Sequence, residues 1–182
     1  IVVQTLHFTN ATSLTIPGSG AASVYPSSIS VSGVTGTVSK VAVTLRGLSH
    51  RFPDDIDALL EKSGGTNVML MSDVGGSSDL NGVTLTFDDG ADASIPENSL
   101  ITSGTWRPTN VDTSTDTMQS NAAAGPYGTA LWPLTNGNPN TTWSLYIRDD
   151  STSDSGSLTQ GWNDWVASSR LLEYRLQAAS DC

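Results

Sequence analysis

Apolar and polar residues alternate along this chain in short runs, and clusters of Gly, Pro, Asp, Asn and Ser separate the runs. A period of two is the mark of a strand with one buried and one solvated face. Residues 38–45 carry it most clearly, with Val41, Val43 and Leu45 on one face and Lys40, Ala42 and Thr44 on the other. Residues 14–16 read as a strand closed by the turn Pro17-Gly18-Ser19-Gly20, and 28–32 as a second half-buried strand. Residues 56–60 and 67–71 read as the arms of a hairpin joined through Lys62-Ser63-Gly64-Gly65-Thr66. Residues 83–87 alternate up to the turn Asp88-Asp89-Gly90, and 143–147 form another strand that ends at Asp149-Asp150. Residues 91–128 are rich in Pro and Gly and read as loop, and 165–172 is the one stretch with a helical pattern. Strand signals spaced by roughly 8 to 14 residues predict an all-β sandwich. No fixed-period repeat and no linker divides the chain, so one domain over residues 1–182 is expected.

Composition narrows the classes of function. The chain has 182 residues, 18 acids against 8 bases and a formal net charge of −10. Asp greatly outnumbers Glu, which favours turns, caps and metal loops over helices. An acidic chain without Lys/Arg clusters is a poor binder of nucleic acid, and no apolar run is long enough to span a bilayer. The single cysteine, Cys182, allows no intrachain disulfide and no thiolate zinc site. The start, Ile1-Val2-Val3-Gln4, has no basic n-region, so the chain reads as a mature domain or a piece of a longer one. Its Ser-, Thr-, Asp- and Gly-rich composition points to an exported protein.

Calcium is the first candidate chemistry, because it takes six to eight oxygen ligands and short Asp and Asn side chains on Gly-bearing loops supply them. The preferred ligands are Asp55, Asp57, Asp73, Asp79 and Asp88, with Asn81 as a carbonyl donor. Each of these residues also suits a plain turn or strand-end cap, and the spacing is not that of an EF-hand. Catalysis ranks lowest. No Gly-x-Ser-x-Gly elbow appears, solvated Asp residues make poor general acids, and His50 is expected to be a structural hydrogen-bonding histidine; no catalytic residue is assigned. Among the tryptophans, Trp143 and Trp162 fall in strand patterns and are expected in the core. Trp106 and Trp132, with Tyr127, fall in loops, where the alternative function is a carbohydrate-binding module that stacks sugars on loop aromatics.

Four separated motifs carry a family resemblance. They are the run Gly47-Leu48-Ser49-His50-Arg51-Phe52-Pro53-Asp54-Asp55-Ile56-Asp57-Ala58-Leu59-Leu60, the pieces Gly65-Thr66-Asn67-Val68 and Leu70-Met71-Ser72-Asp73-Val74-Gly75-Gly76, the run Asn140-Thr141-Thr142-Trp143-Ser144-Leu145-Tyr146-Ile147-Arg148-Asp149, and Gly156-Ser157-Leu158-Thr159-Gln160-Gly161-Trp162. Together, over about residues 12–162 and in the right order, they resemble the P-domains of proprotein convertases, most of all the bacterial P-domain-like modules of secreted proteins. The resemblance implies a jelly-roll β-sandwich related to galactose-binding-like folds. It also implies a noncatalytic accessory role beside covalently linked domains such as a subtilisin-like protease, location outside the cell or at its surface, and plausible calcium binding. Two departures stand out: Thr141 replaces the family's usual Gly, and residues 163–182 are atypical. There the closing strand is expected to be delayed to the alternation of Leu172, Tyr174 and Leu176.

Overall fold

The structure, a computed structural model, describes residues 2–113 and 116–170. Its strands form two mixed sheets packed face to face. In the first sheet lie, in order, β1 (Val2–Asn10), β13 (Trp162–Arg170), β5 (Thr37–His50), β12 (Gly156–Leu158) and β2 (Leu14–Ile16). Along the other side of β5 runs β8 (Leu80–Phe87), followed by β9 (Gly104–Trp106). The second sheet has the order β10 (Thr109–Asn110), β7 (Thr66–Ser72), β6 (Ile56–Lys62), β11 (Thr142–Asp149) and β3 (Gly20–Ala21), and β4 (Ser27–Ser30) also pairs with β11. The fold is thus an all-β sandwich, as the strand spacing predicts.

The alternation seen in the sequence explains the core. Val43, Leu45, Phe87 and Val166 from the first sheet meet Ala58, Leu60, Leu145 and Ile147 from the second in one continuous apolar cluster. Trp143 and Trp162 are fully buried at its heart. Each buried indole N–H finds an acceptor, as burial requires: Trp143 Nε1 donates to Pro139 O at 3.0 Å and Trp162 Nε1 to Ser27 Oγ at 2.9 Å. Lys62 is also buried. Its ammonium donates to the carbonyls of Leu134 and Asn136, at the end of the 3-10 turn Trp132–Thr135, and lies 5.8 Å from the Trp143 ring centroid.

The outer face of the second sheet is covered by the segment 116–128. Leu59, Met69 and Tyr146 point outward and pack with Tyr25, Met118, Ala122 and Tyr127. Polar straps hold this cover down. Tyr146 donates to Asn121 O at 2.8 Å, and Glu61 accepts from the backbone N–H of Ala123 at 3.1 Å.

Three local expectations change. Residues 2–10, given no element from the sequence, form β1, an edge strand whose outward residues are mostly exposed. The closing strand is not delayed: β13 runs on directly from Trp162, and residues 165–170 are strand rather than helix. The helical pattern there arises because polar residues, Asp164 and Ser168, occupy buried positions on β13 and break the apolar alternation. The expectation for Leu172, Tyr174 and Leu176 falls outside the described residues. Gly161 has no alternative at the entry to β13, because its φ is +66° and a Cβ there would stand 1.9 Å from Asn10 O.

Candidate metal centre

Sheet register builds a polar row on the outer face of the second sheet. β10 pairs Asn110 with Ser72 of β7, and β11 pairs Arg148 with Asp57 of β6. Between β6 and β7 the register shifts after Ala58: Leu59 pairs with Met69, whereas Ala58 pairs with Met71. The extra residue of this β-bulge puts Ser72 beside Asp57 and leaves both Leu70 and Met71 in the core. Asn110, Ser72, Asp57 and Arg148 therefore follow one another across four strands.

Three carboxylates converge on the Ser72 hydroxyl. Its Oγ lies 2.6 Å from Asp57 Oδ1, 3.0 Å from Asp73 Oδ2 and 3.0 Å from Asp116 Oδ1. A hydroxyl has one hydrogen to donate, so it satisfies one of these carboxylates at a time. Asp116 comes from the covering segment and accepts a hydrogen bond from Asn110 Nδ2. Asp57 is 2% exposed, and its Oδ2 has no hydrogen-bond partner; the Oδ1 of Asn110 is likewise buried and unpartnered. Arg148 lies beside the row but turns its Nη1 to the carbonyl of Thr117, and its Nε is unpartnered.

The electrostatics follow from this crowding. Burial pushes the Asp57 carboxyl up to about 7; repulsion from Asp150, Asp116 and Asp73 adds to the shift, and the Ser72 hydrogen bond opposes it. Burial also raises Asp73 and Asp150, each with neighbouring carboxylates contributing. Four acids in mutual range, one of them buried with a free lone-pair site, form a centre that a proton or a hard cation would relieve. Among the described residues, no three acidic, imidazole or thiolate side chains already stand as a ready-made cage.

Of the residues expected as ligands, the fold brings Asp57 and Asp73 together here. Asp55 lies at the adjoining edge, where burial and the nearby Asp149 push its carboxyl up to about 6 while His50 opposes the shift. Asp79 and Asn81 border a separate hollow with Leu100 and Ser103. Asp88 pairs with Lys40 at 2.5 Å on the other sheet. Asp116, Asp150, Ser72 and Asn110 were not among the expected ligands. Asp150 had a visible signal, the acidic pair that ends β11, whereas Asp116 had none in a Gly- and Pro-rich stretch.

The remaining candidates also have places. His50 is buried, with Nε2 3.1 Å from Asp149 Oδ2 and Nδ1 2.8 Å from Phe52 O. Trp106 packs against the core and donates to Thr102 O, and Tyr127 belongs to the outer cover and donates to Ala123 O at 2.7 Å. Trp132 stands free, 63% exposed.

The site so described is an acidic centre, built around the buried Asp57, on the outer face of an all-β sandwich. No protein-family model, curated protein or solved structure matches the chain.

Proposed function

We propose that this chain is a noncatalytic accessory module of an exported multidomain protein, of the P-domain kind and jelly-roll lineage, and that calcium bound at the acidic centre stabilises it. Asp57, Asp73, Asp116 and Asp150 would hold the ion, with Asn110 Oδ1 as a neutral donor. Calcium would supply charge there and tie the covering segment to the sheet. The observation that carries this reading is the convergence of three carboxylates on one hydroxyl with the buried Asp57 Oδ2 left unpartnered. An uncompensated buried carboxylate costs free energy that a cation recovers.

The P-domain reading draws support from where its motifs meet. His50 from the first motif bonds Asp149 from the third. Gly156 from the fourth lies against the first, since a Cβ there would stand 2.1 Å from Ser49 O and 2.5 Å from His50 Cδ2. Ser72 of the second motif bonds Asp57 of the first. A buried His50 with both ring nitrogens engaged suits a structural rather than a catalytic histidine.

The test of the ion is elemental content together with melting in millimolar Ca²⁺ and in chelator. Bound calcium and a higher melting temperature are expected; no metal and superimposable melts would refute it. The accessory role is tested on the natural full-length chain, where removal of this module should lower the melting temperature of its neighbour.

A further inference from the structure

Two indoles stand out from the surface on the side of the first sheet, Trp132 at 63% and Trp165 at 42% exposure. Trp165 projects from the outer face of β13 opposite Ala42 of β5, with the His7 ring edge-on at 4.7 Å. It borders an open hollow of about 360 Å³ with Thr5, Thr86 and Thr105. Trp132 borders a second hollow, of about 260 Å³. Lys40 and Asp88 line both, so their ion pair is the sill between the two halves of one trough.

Trp132 is not exposed through a frayed loop. The Asp89 carboxylate accepts the backbone N–H groups of Leu131 and Trp132, both at 2.8 Å, and so fixes the start of the 3-10 turn that carries the indole. A fixed aromatic costs little ordering on binding.

The charges of the trough are already used. Lys40, the one cation among the described lining residues, is paired with Asp88, and Asp89 is occupied by backbone donors. A net charge of −10 repels acidic ligands. What remains is the hydroxyls of Thr5 and Thr105, the capacity that Thr86 keeps beyond its 2.9 Å bond with the Thr44 hydroxyl, a closed ion pair with donors and acceptors, and two indole faces. Aromatic surface with a few placed polar groups is the chemistry of a small-ligand site, and a neutral pyranose chain, apolar on its C–H faces and hydroxylated at its rim, complements it.

We propose that this trough binds a neutral polysaccharide, with sugar rings on Trp165 and Trp132 and their hydroxyls met by Thr86, Thr105 and the Lys40–Asp88 pair. This site is separate from the acidic centre and does not rest on calcium. The experiment is affinity electrophoresis of the chain through gels holding hydroxyethylcellulose, xylan or galactomannan, with polygalacturonate as the acidic comparison. Retardation is expected in at least one neutral gel. It should weaken by about tenfold or more in Trp165→Ala and in Trp132→Ala, with melting temperatures close to that of the parent chain. Trp165→Phe and Trp132→Phe, which keep an aromatic base in place, should retain part of the binding and serve if an alanine variant fails to fold. No retardation in any neutral gel, retardation by polygalacturonate alone, or equal retardation of the double alanine variant would overturn the proposal.

Discussion

His50 Nε2 lies 3.1 Å from Asp149 Oδ2, and neither side chain has any exposure to solvent. The histidine ends β5 in the first sheet and the aspartate ends β11 in the second. One buried contact therefore clasps the two sheets at the edge where the acidic centre lies. Asp149 also accepts the N–H of Ser151 at 3.0 Å, which fixes the turn leading towards β12. Asp149→Ala leaves both partners orphaned, and a loss of about 2–4 kcal/mol is expected in denaturant titration. A double-mutant cycle with His50→Ala should show coupling of about 1–3 kcal/mol, because residues sharing one network are not additive. Additive losses would mean that the contact does no clasping.

Calcium at a hundredfold excess over its dissociation constant stabilises by about 2.7 kcal/mol, which for a chain of this size is a rise of about 5–10 °C in melting temperature. Asp57→Asn has opposite effects in the two conditions. In chelator it raises the melting temperature, because a buried carboxylate has gone. In calcium it should shrink the increment, because a proposed ligand has gone. Ligands must be deprotonated to bind metal, and Asp57 is held up to about 7. The calcium increment should therefore be larger at pH 8 than at pH 6.

Asp164 is fully buried on β13, and neither of its carboxylate oxygens has a partner. Burial raises its pKa well above the ordinary aspartate value. A carboxyl whose folded value lies above its unfolded value binds more protons in the native state. Its contribution to stability is complete below the unfolded value, near 4, and is lost as pH rises through the folded one. Asp164→Asn, which stays neutral, should be more stable than the parent chain at pH 8 by about 1–3 kcal/mol. The two proteins should converge as pH falls towards 4. Parallel stability curves across that range would rule this out.

Lys62 is 4% exposed, and its ammonium serves two carbonyls at the end of the turn that presents Trp132. Lys62→Met keeps the apolar stem over Trp143 and removes the donor. A loss of about 1–3 kcal/mol is expected for the orphaned carbonyls. Hydrogen exchange should show the strongest loss of protection at Leu134 and Asn136, whose N–H groups close the turn.

The sandwich was legible wherever one face of a strand is apolar and the other polar, as in β5, β8 and β11. The β6–β7 hairpin was legible because its turn is Gly-Gly. β1 was not, because only Leu6 and Phe8 along it pack against the core and most of its other residues are exposed. β13 was obscured by Asp164, a charge on the core side that no alternation rule anticipates. Within the acidic centre, Asp57 and Asp73 could be read from their places at strand ends. Asp116 could not, because it reaches Ser72 across 44 residues of chain through a covering segment that has no periodicity. Trp165 was hidden for a related reason: its neighbours in sequence are buried and only the sheet register shows that it faces outward.

The bulge between Ala58 and Leu59 of β6 and their partners on β7 has a wider consequence. If the same residues paired without the bulge, Met71 rather than Ser72 would stand beside Asp57, and a thioether would replace the hydroxyl on which the carboxylates gather. The chemistry of this face is therefore encoded partly by arithmetic. Pairing Ala58 with Leu70 instead would turn Ser72 away from the carboxylates with every acidic side chain retained, whereas excising Leu70 itself would keep Ser72 beside Asp57. Strand register, rather than composition alone, decides whether the acids of this face meet on one hydroxyl.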